Sequence, residues 1–211
     1  MAEGKLTHVT HDFLGSARIF ASALEEVVER RLLEEVAGKR LTLSQFRLLK
    51  LVAVTDAHTI SDIGLFLDVS NAAASKAVDK LVRRKLLRRA EGQPDRREIR
   101  LSLTEPSKRV LAAYERRRER KLAEVFRGFG RDELKRTANL LDRLSVGLVQ
   151  HHAKGEVCLQ CGVYFRNQCL VRKLLRRDCF YLRNRIQQKG AHQVPIQPAS
   201  GKGSGTARRI M

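Results

Sequence analysis

The sequence predicts a mainly α-helical chain interrupted by one small β-hairpin, and three observations carry that reading. Apolar residues recur at steps of three and four through most of the first 150 positions. That period gives way to a weak alternation at residues 86–90 and 98–103, on either side of the turn-rich run Glu91-Gly92-Gln93-Pro94-Asp95. Leu, Ala, Arg, Lys and Glu dominate, while aromatics make up 5% and Trp is missing, so the core must be aliphatic and the bias is towards helix.

The elements follow in order. Phe13, Ala17, Phe20, Leu24, Val27, Val28 and Leu32 put one apolar stripe on a helix over 11–38, with Gly38 as its stop. Thr42 or Ser44 can cap a second helix carrying Phe46, Leu48, Leu49, Leu51 and Val52, ending near Thr55. A short third helix at about 60–68 uses Ile63, Leu65, Phe66 and Leu67. Val69 and Ser70 make a turn, and Ser70 caps a fourth helix from Asn71 to about Arg84. Its inner face is Ala74, Val78, Leu81 and Val82; its outer face is Asn71, Ser75, Lys76, Asp79, Lys80 and Arg83. After the hairpin, Thr104 caps a long helix to about Arg127, with Pro106 in its first turn. Gly128 and Gly130 break it, and a last long helix at about 131–150 carries Leu134, Leu140, Leu141, Leu144 and Leu148.

Charge narrows the partners. Forty-two Lys+Arg against 23 Asp+Glu leave a formal net charge of +19. Self-repulsion on that scale is relieved by a polyanion, which puts nucleic acid first, an anionic membrane surface second and a merely solubilising surface third. No run of 18 apolar residues exists, and Met1–Leu14 lacks the three-part form of a secretory signal. The expectation is a cytoplasmic protein without membrane attachment, whose cysteines are reduced thiols or metal ligands rather than disulfides.

Helix, tight turn, helix and charged hairpin is the order of a winged helix-turn-helix. The fourth helix can enter the major groove, where base edges differ. Ala72 and Ala73 let its backbone approach closely. Ser70, Asn71, Ser75, Lys76, Lys80 and Arg83 are then placed for base edges and phosphates. At the hairpin tip, Arg96 and Arg97 suit the narrow minor groove, and Asp95 can orient a guanidinium.

These residues carry a resemblance. Leu43-Ser44-Gln45-Phe46-Arg47-Leu48-Leu49, Ile60-Ser61-Asp62-Ile63 and the segment Val69 to Leu81 are similar to the MarR family of regulators. So is Asp95-Arg96-Arg97, ending in Leu101-Ser102-Leu103-Thr104. The likeness covers roughly residues 11–150. It implies a homodimer interlocked through the first and last two helices, a pseudo-palindromic operator in double-stranded DNA, and repression relieved by a small-molecule or redox effector. Two positions depart from the family pattern, which usually has Gly where Lys85 and Ser107 stand. A left-handed Lys85 costs on the order of 1 kcal/mol.

Past His151 the character changes. Residues 151–211 hold 12 Lys/Arg, two acids and all four cysteines, Cys158, Cys161, Cys169 and Cys179. The spacing Cys-x2-Cys-x7-Cys-x9-Cys suits a four-thiolate metal site, with Gly162 after the first pair as in zinc knuckles. Zinc is weighed ahead of an iron–sulfur cluster, which tolerates the loose second pair. The plainer alternatives are unrelated thiols, or a Cys-x2-Cys redox switch. His151 and His152 are spare ligands at most.

The expected organisation is a regulatory and dimerisation domain at 1–150, a basic cysteine module at 151–189 and a disordered basic tail at 190–211. The expected function is sequence-specific, non-enzymatic DNA binding. Its rivals are a non-specific architectural or RNA-binding protein and a thiol-disulfide oxidoreductase, the latter lacking any thioredoxin-like βαβ pattern.

Overall fold

A computed structural model of the chain describes residues 2–55, 58–89, 98–150, 157–158, 164–166, 169–176 and 178–184. The hairpin tip at 90–97, Cys161, His151, His152 and the tail at 190–211 lie outside the described residues.

The first helix is longer and less regular than its stripe suggests. Helix α1, Ala2–Ala23, runs without a break through a π-wound segment, Leu24–Arg31, into α2, Leu32–Ala37. In the π segment side chains five apart are neighbours. Arg30 meets Glu25 at 3.3 Å and Arg31 meets Glu26 at 3.2 Å. The wider winding lets the consecutive residues Val28 and Glu29 both face inward, which a 3.6-residue period does not allow so readily. Gly38 ends the rod at φ +61°, a left-handed value suited to glycine.

Three short helices build the next layer. Helix α3, Leu43–Val54, starts at Thr42, whose hydroxyl accepts from Gln45 N–H while the Gln45 side-chain Oε1 accepts from Thr42 N–H. Helix α4, Ile60–Leu67, repeats the device with Thr59 and Asp62. Helix α5, Asn71–Arg83, is capped by the Ser70 hydroxyl on Ala73 N–H. Strands β2, Leu87–Arg89, and β4, Leu101–Leu103, pair antiparallel with Leu87 opposite Leu103 and Arg89 opposite Leu101. A second antiparallel pair joins β1, His58–Thr59, to β3, Glu98–Ile99, and ties the returning arm of the hairpin, on the tip side of β4, to the start of α4.

Helix α6, Glu105–Phe126, and helix α7, Arg131–Gln150, complete the expected set. Ser107 stands in the first turn of α6. Its hydroxyl accepts from Thr104 N–H at 3.0 Å and donates to the Thr104 carbonyl at 2.9 Å. The family's usual glycine is thus replaced by a buried cap. The C-terminal pieces are β5, Val157–Cys158; α8, Leu170–Leu175; β6, Asp178–Cys179, parallel to β5; and α9, Phe180–Asn184.

One core joins these layers. Phe46, Leu48, Leu49 and Leu51 of α3 lie fully buried against Ile63, Ala74, Val78, Leu81 and Leu87. Tyr114 of α6 tilts its ring onto Phe46, with centroids 4.4 Å apart, and its hydroxyl donates to the Val28 carbonyl at 2.9 Å. That bond ties α6 to the π segment. Phe180, from the cysteine-bearing extension, is fully buried in this same core.

Buried charge is paired. Glu29 accepts from Arg47 at 2.8 Å, and Lys50 donates to Glu115 at 2.8 Å. Burial nevertheless lowers the Lys50 pKa below its ordinary value, outweighing the nearby carboxylate.

The long helices also keep apolar side chains outside. Val9, Leu14, Ile19 and Phe20 of α1 and Leu140, Leu141, Leu144 and Leu148 of α7 are exposed. Among the described residues no helix is long and apolar enough to cross a membrane.

Candidate nucleic-acid interface

The reading head is set by how closely α4 and α5 approach. A Cβ on Gly64 would stand 3.0 Å from both the Asn71 Oδ1 atom and the Val69 carbonyl, so only glycine permits this crossing without a shift. Asp68 makes the corner in a left-handed conformation at φ 56°, with Val69 N–H returning to the Gly64 carbonyl at 2.9 Å. Ser70 follows in extended conformation and caps α5, so the expected turn falls at residues 68–70.

Helix α5 buries Ala74, Val78 and Leu81 and leaves its other face outward. Asn71, Ala72, Ala73, Lys76, Lys80 and Arg83 are exposed; Ser75 and Asp79 are half-buried. Ser70 is also exposed. The six helix-and-cap residues singled out from the sequence therefore lie along one helix and its entry turn. Ser70 and Asn71 are at the N-terminal end, Ser75, Lys76 and Lys80 in the middle, and Arg83 at the far end. Asp95, Arg96 and Arg97 fall outside the described residues.

The far end of α5 is fixed by a left-handed lysine. Lys85 has φ 57°; its N–H bonds to the Val82 carbonyl and Leu86 N–H to the Leu81 carbonyl, both at 2.9 Å. Those two bonds form a Schellman motif, the helix ending usually built on glycine. The Thr104 hydroxyl adds a bond of 2.7 Å to the Lys85 carbonyl. The departure from the family pattern thus leaves the helix end wound as a glycine would wind it.

Sequence reading missed part of the basic surface. Arg88 and Arg89 of β2 and Arg100 are exposed on the hairpin, inward of its tip. Arg89 reaches Asp79 of α5 at 2.7 Å, so a recognition-helix carboxylate orients a hairpin guanidinium. Arg84 is turned away to the Gln45 side-chain Oε1 at 3.0 Å, which pins the end of α5 to the cap of α3. The signal was present in Leu87-Arg88-Arg89, where one buried residue precedes two charged ones, but the partner on α5 is visible only in three dimensions.

A tight helix–turn–helix followed by a two-stranded wing defines the winged helix-turn-helix class. Residues 41–99 match the model of the MarR family. The chain is 26% identical over 100 residues to the uncharacterized HTH-type transcriptional regulator YpoP of Bacillus subtilis (strain 168), a match covering 47% of this chain and 69% of that protein. The fold is similar to Staphylococcus aureus MarR solved with salicylate and kanamycin, at TM-score 0.58, 17% identity, 72% of this chain and 100% of that one. It is also similar to Streptococcus pneumoniae FabT solved in complex with DNA, at TM-score 0.54, 20% identity, 67% of this chain and 96% of that one.

Proposed function

We propose that the protein is a sequence-specific regulator that binds a pseudo-palindromic operator in double-stranded DNA as a homodimer and represses transcription from it. The observation that carries the reading is the outward face of α5. A capped N-terminus, small residues and then Lys76, Lys80 and Arg83 stand beside Arg88 and Arg89. A helix with that profile fits a major groove, and flanking arginines fit phosphates. FabT's complex with DNA supports the reading by kinship of fold.

The dimer is supported by two apolar faces that are exposed among the described residues. The exposed leucines of α7 and the exposed Val9, Leu14, Ile19 and Phe20 of α1 lie on the helices through which the family resemblance implies interlocking. A two-fold dimer presents two α5 helices, hence a palindromic site.

The same reading includes a small-molecule effector. A cleft of about 460 Å³ lies between the π segment, α2 and α6, lined by Arg31, Arg117, Arg120 and Lys121 together with Glu35 and Glu124, and the Arg117 guanidinium is paired with Glu35 at 3.4 Å. Its mixed charged lining suits a small polar ligand. The S. aureus MarR structure contains salicylate and kanamycin, which supports a small-molecule effector as part of this reading.

The test is selection of bound duplexes from a random pool, followed by affinity measurements across salt on the selected site. A palindromic consensus is the expected outcome. Arg83→Ala should weaken binding and reduce the salt slope by about one counterion. Equal affinity for selected duplex, random duplex and RNA would overturn the reading in favour of a non-specific basic protein.

A further inference from the structure

Helix α7 follows α6 after a break at residues 127–130. Among the described elements, the one packed most closely on it is α8, from the C-terminal extension. The half-buried positions Asp142, Ser145, Val146 and Val149 recur at helical spacing and form one stripe of α7. Leu140, Leu141, Leu144 and Leu148 lie off that stripe and stay exposed. One face of α7 is thus covered within the chain, and the other is left for the dimer proposed above.

Three adjacent residues of the extension reach three different parts of the fold. The Arg166 guanidinium forks onto the Asp142 carboxylate of α7, at 2.5 and 2.8 Å. Phe165 lies between Phe66 of α4 and Tyr181, with ring centroids 6.1 and 4.9 Å away. Phe66 stands two residues past Gly64, where α4 crosses the recognition helix. The Tyr164 hydroxyl donates to Glu29 of the π segment, and that carboxylate also accepts from Arg47 of α3 at 2.8 Å. Burial first, then the charge of Glu29, raises the Tyr164 pKa, which keeps the hydroxyl a donor. Beyond these, Val171 of α8 is buried and Phe180 is fully buried in the core of the winged domain. The extension is therefore anchored at both ends of the span it crosses.

Building on the operator-binding dimer proposed above, we infer that Tyr164, Phe165 and Arg166 are positioning residues for DNA binding, which brace α4, and with it α5, against α7. In a dimer joined through α7, the angle between α7 and the reading head sets the separation of the two recognition helices. Each base pair of spacer moves a half-site by about 3.4 Å along the duplex. A braced dimer accepts one spacer length, whereas a loosened one accepts several. None of the three residues needs to touch DNA for this.

The experiment uses the full-length protein and duplexes carrying two selected half-sites. Their spacers are shortened or lengthened by one and two base pairs, and a further duplex carries a single half-site. The native protein should prefer one spacer sharply. Arg166→Ala and Phe165→Ala should each weaken binding to the preferred duplex by roughly two- to thirtyfold, the range for residues that couple separate parts of a fold. Both should flatten the spacer profile and leave affinity for the single half-site unchanged. Combining Asp142→Arg with Arg166→Asp should restore the sharp profile that either change alone removes. Arg166→Ala alters a part-exposed side chain and carries the test if Phe165→Ala fails to fold. A native spacer profile in the variants would overturn the brace and leave operator binding standing. So would an equal loss on every duplex, the single half-site included, since that is what a merely structural role predicts. A native protein that selects no palindrome would overturn the dimer reading itself, and the brace with it.

Discussion

Replacing Lys85 by glycine should stabilise the protein, because the residue sits where its side chain is least welcome. Its φ of 57° places it in the left-handed region, and three hydrogen bonds hold it there: its own N–H to Val82, Leu86 N–H to Leu81, and the Thr104 hydroxyl to its carbonyl. The backbone therefore cannot relax to suit the side chain. A left-handed conformation costs an L-residue about 1–2 kcal/mol. Glycine removes that cost but gives the unfolded chain more freedom, which takes back roughly 0.4–1 kcal/mol. The net expectation is a gain of about 0.5–1 kcal/mol, or about 1–4 °C in Tm for a chain of this size. Urea and thermal unfolding of Lys85→Gly, Lys85→Asn and Lys85→Val would read it. Stability should rank Gly first, then Asn, then the native Lys, with Val lowest, since a β-branched residue fares worst at positive φ. If Lys85→Val matched the native protein, or Lys85→Gly fell below it, the left-handed assignment would be refuted.

Two further outcomes follow from the buried polar groups. Tyr114→Phe keeps the ring against Phe46 but leaves the Val28 carbonyl without its 2.9 Å donor, and should cost about 1–3 kcal/mol by denaturant unfolding. An unchanged midpoint would show that water or another donor reaches the π segment. Lys50 has a lowered pKa, so between that value and the ordinary 10.5 the unfolded chain binds a proton that the folded one does not. Its contribution to stability therefore rises with pH through that window. The stability difference between the native protein and Lys50→Met should shift in favour of the native protein from pH 7 to 10. A pH-independent difference would remove the burial argument.

The sequence by itself determined the order of elements and much of the reading surface. Capping residues announced three helix starts: Thr42 and Ser70 because a hydroxyl satisfies an early N–H of the helix, and Thr104 through its reciprocal bonding with Ser107. The inner face of α5 was legible because Ala74, Val78 and Leu81 recur at helical spacing, which leaves Lys76, Lys80 and Arg83 outward by geometry alone. Local rules of that kind act within a few residues, so they can be read from a string.

Three features needed the tertiary structure. The π winding at Leu24–Arg31 is held from outside, by Tyr114 on the Val28 carbonyl and Arg47 on Glu29, and a stripe counted at 3.6 residues cannot register it. Leu65 was expected among the apolar set of α4, yet it is well exposed, because α4 lies on α5 through Gly64 instead. The pairing of Asp79 with Arg89, of Cys158 with Cys179 and of Phe165 with Phe66 joins residues ten to about a hundred positions apart. Contacts at that separation depend on how whole elements pack. Sequence period fixes which face of a helix is apolar, while packing decides which neighbour that face meets.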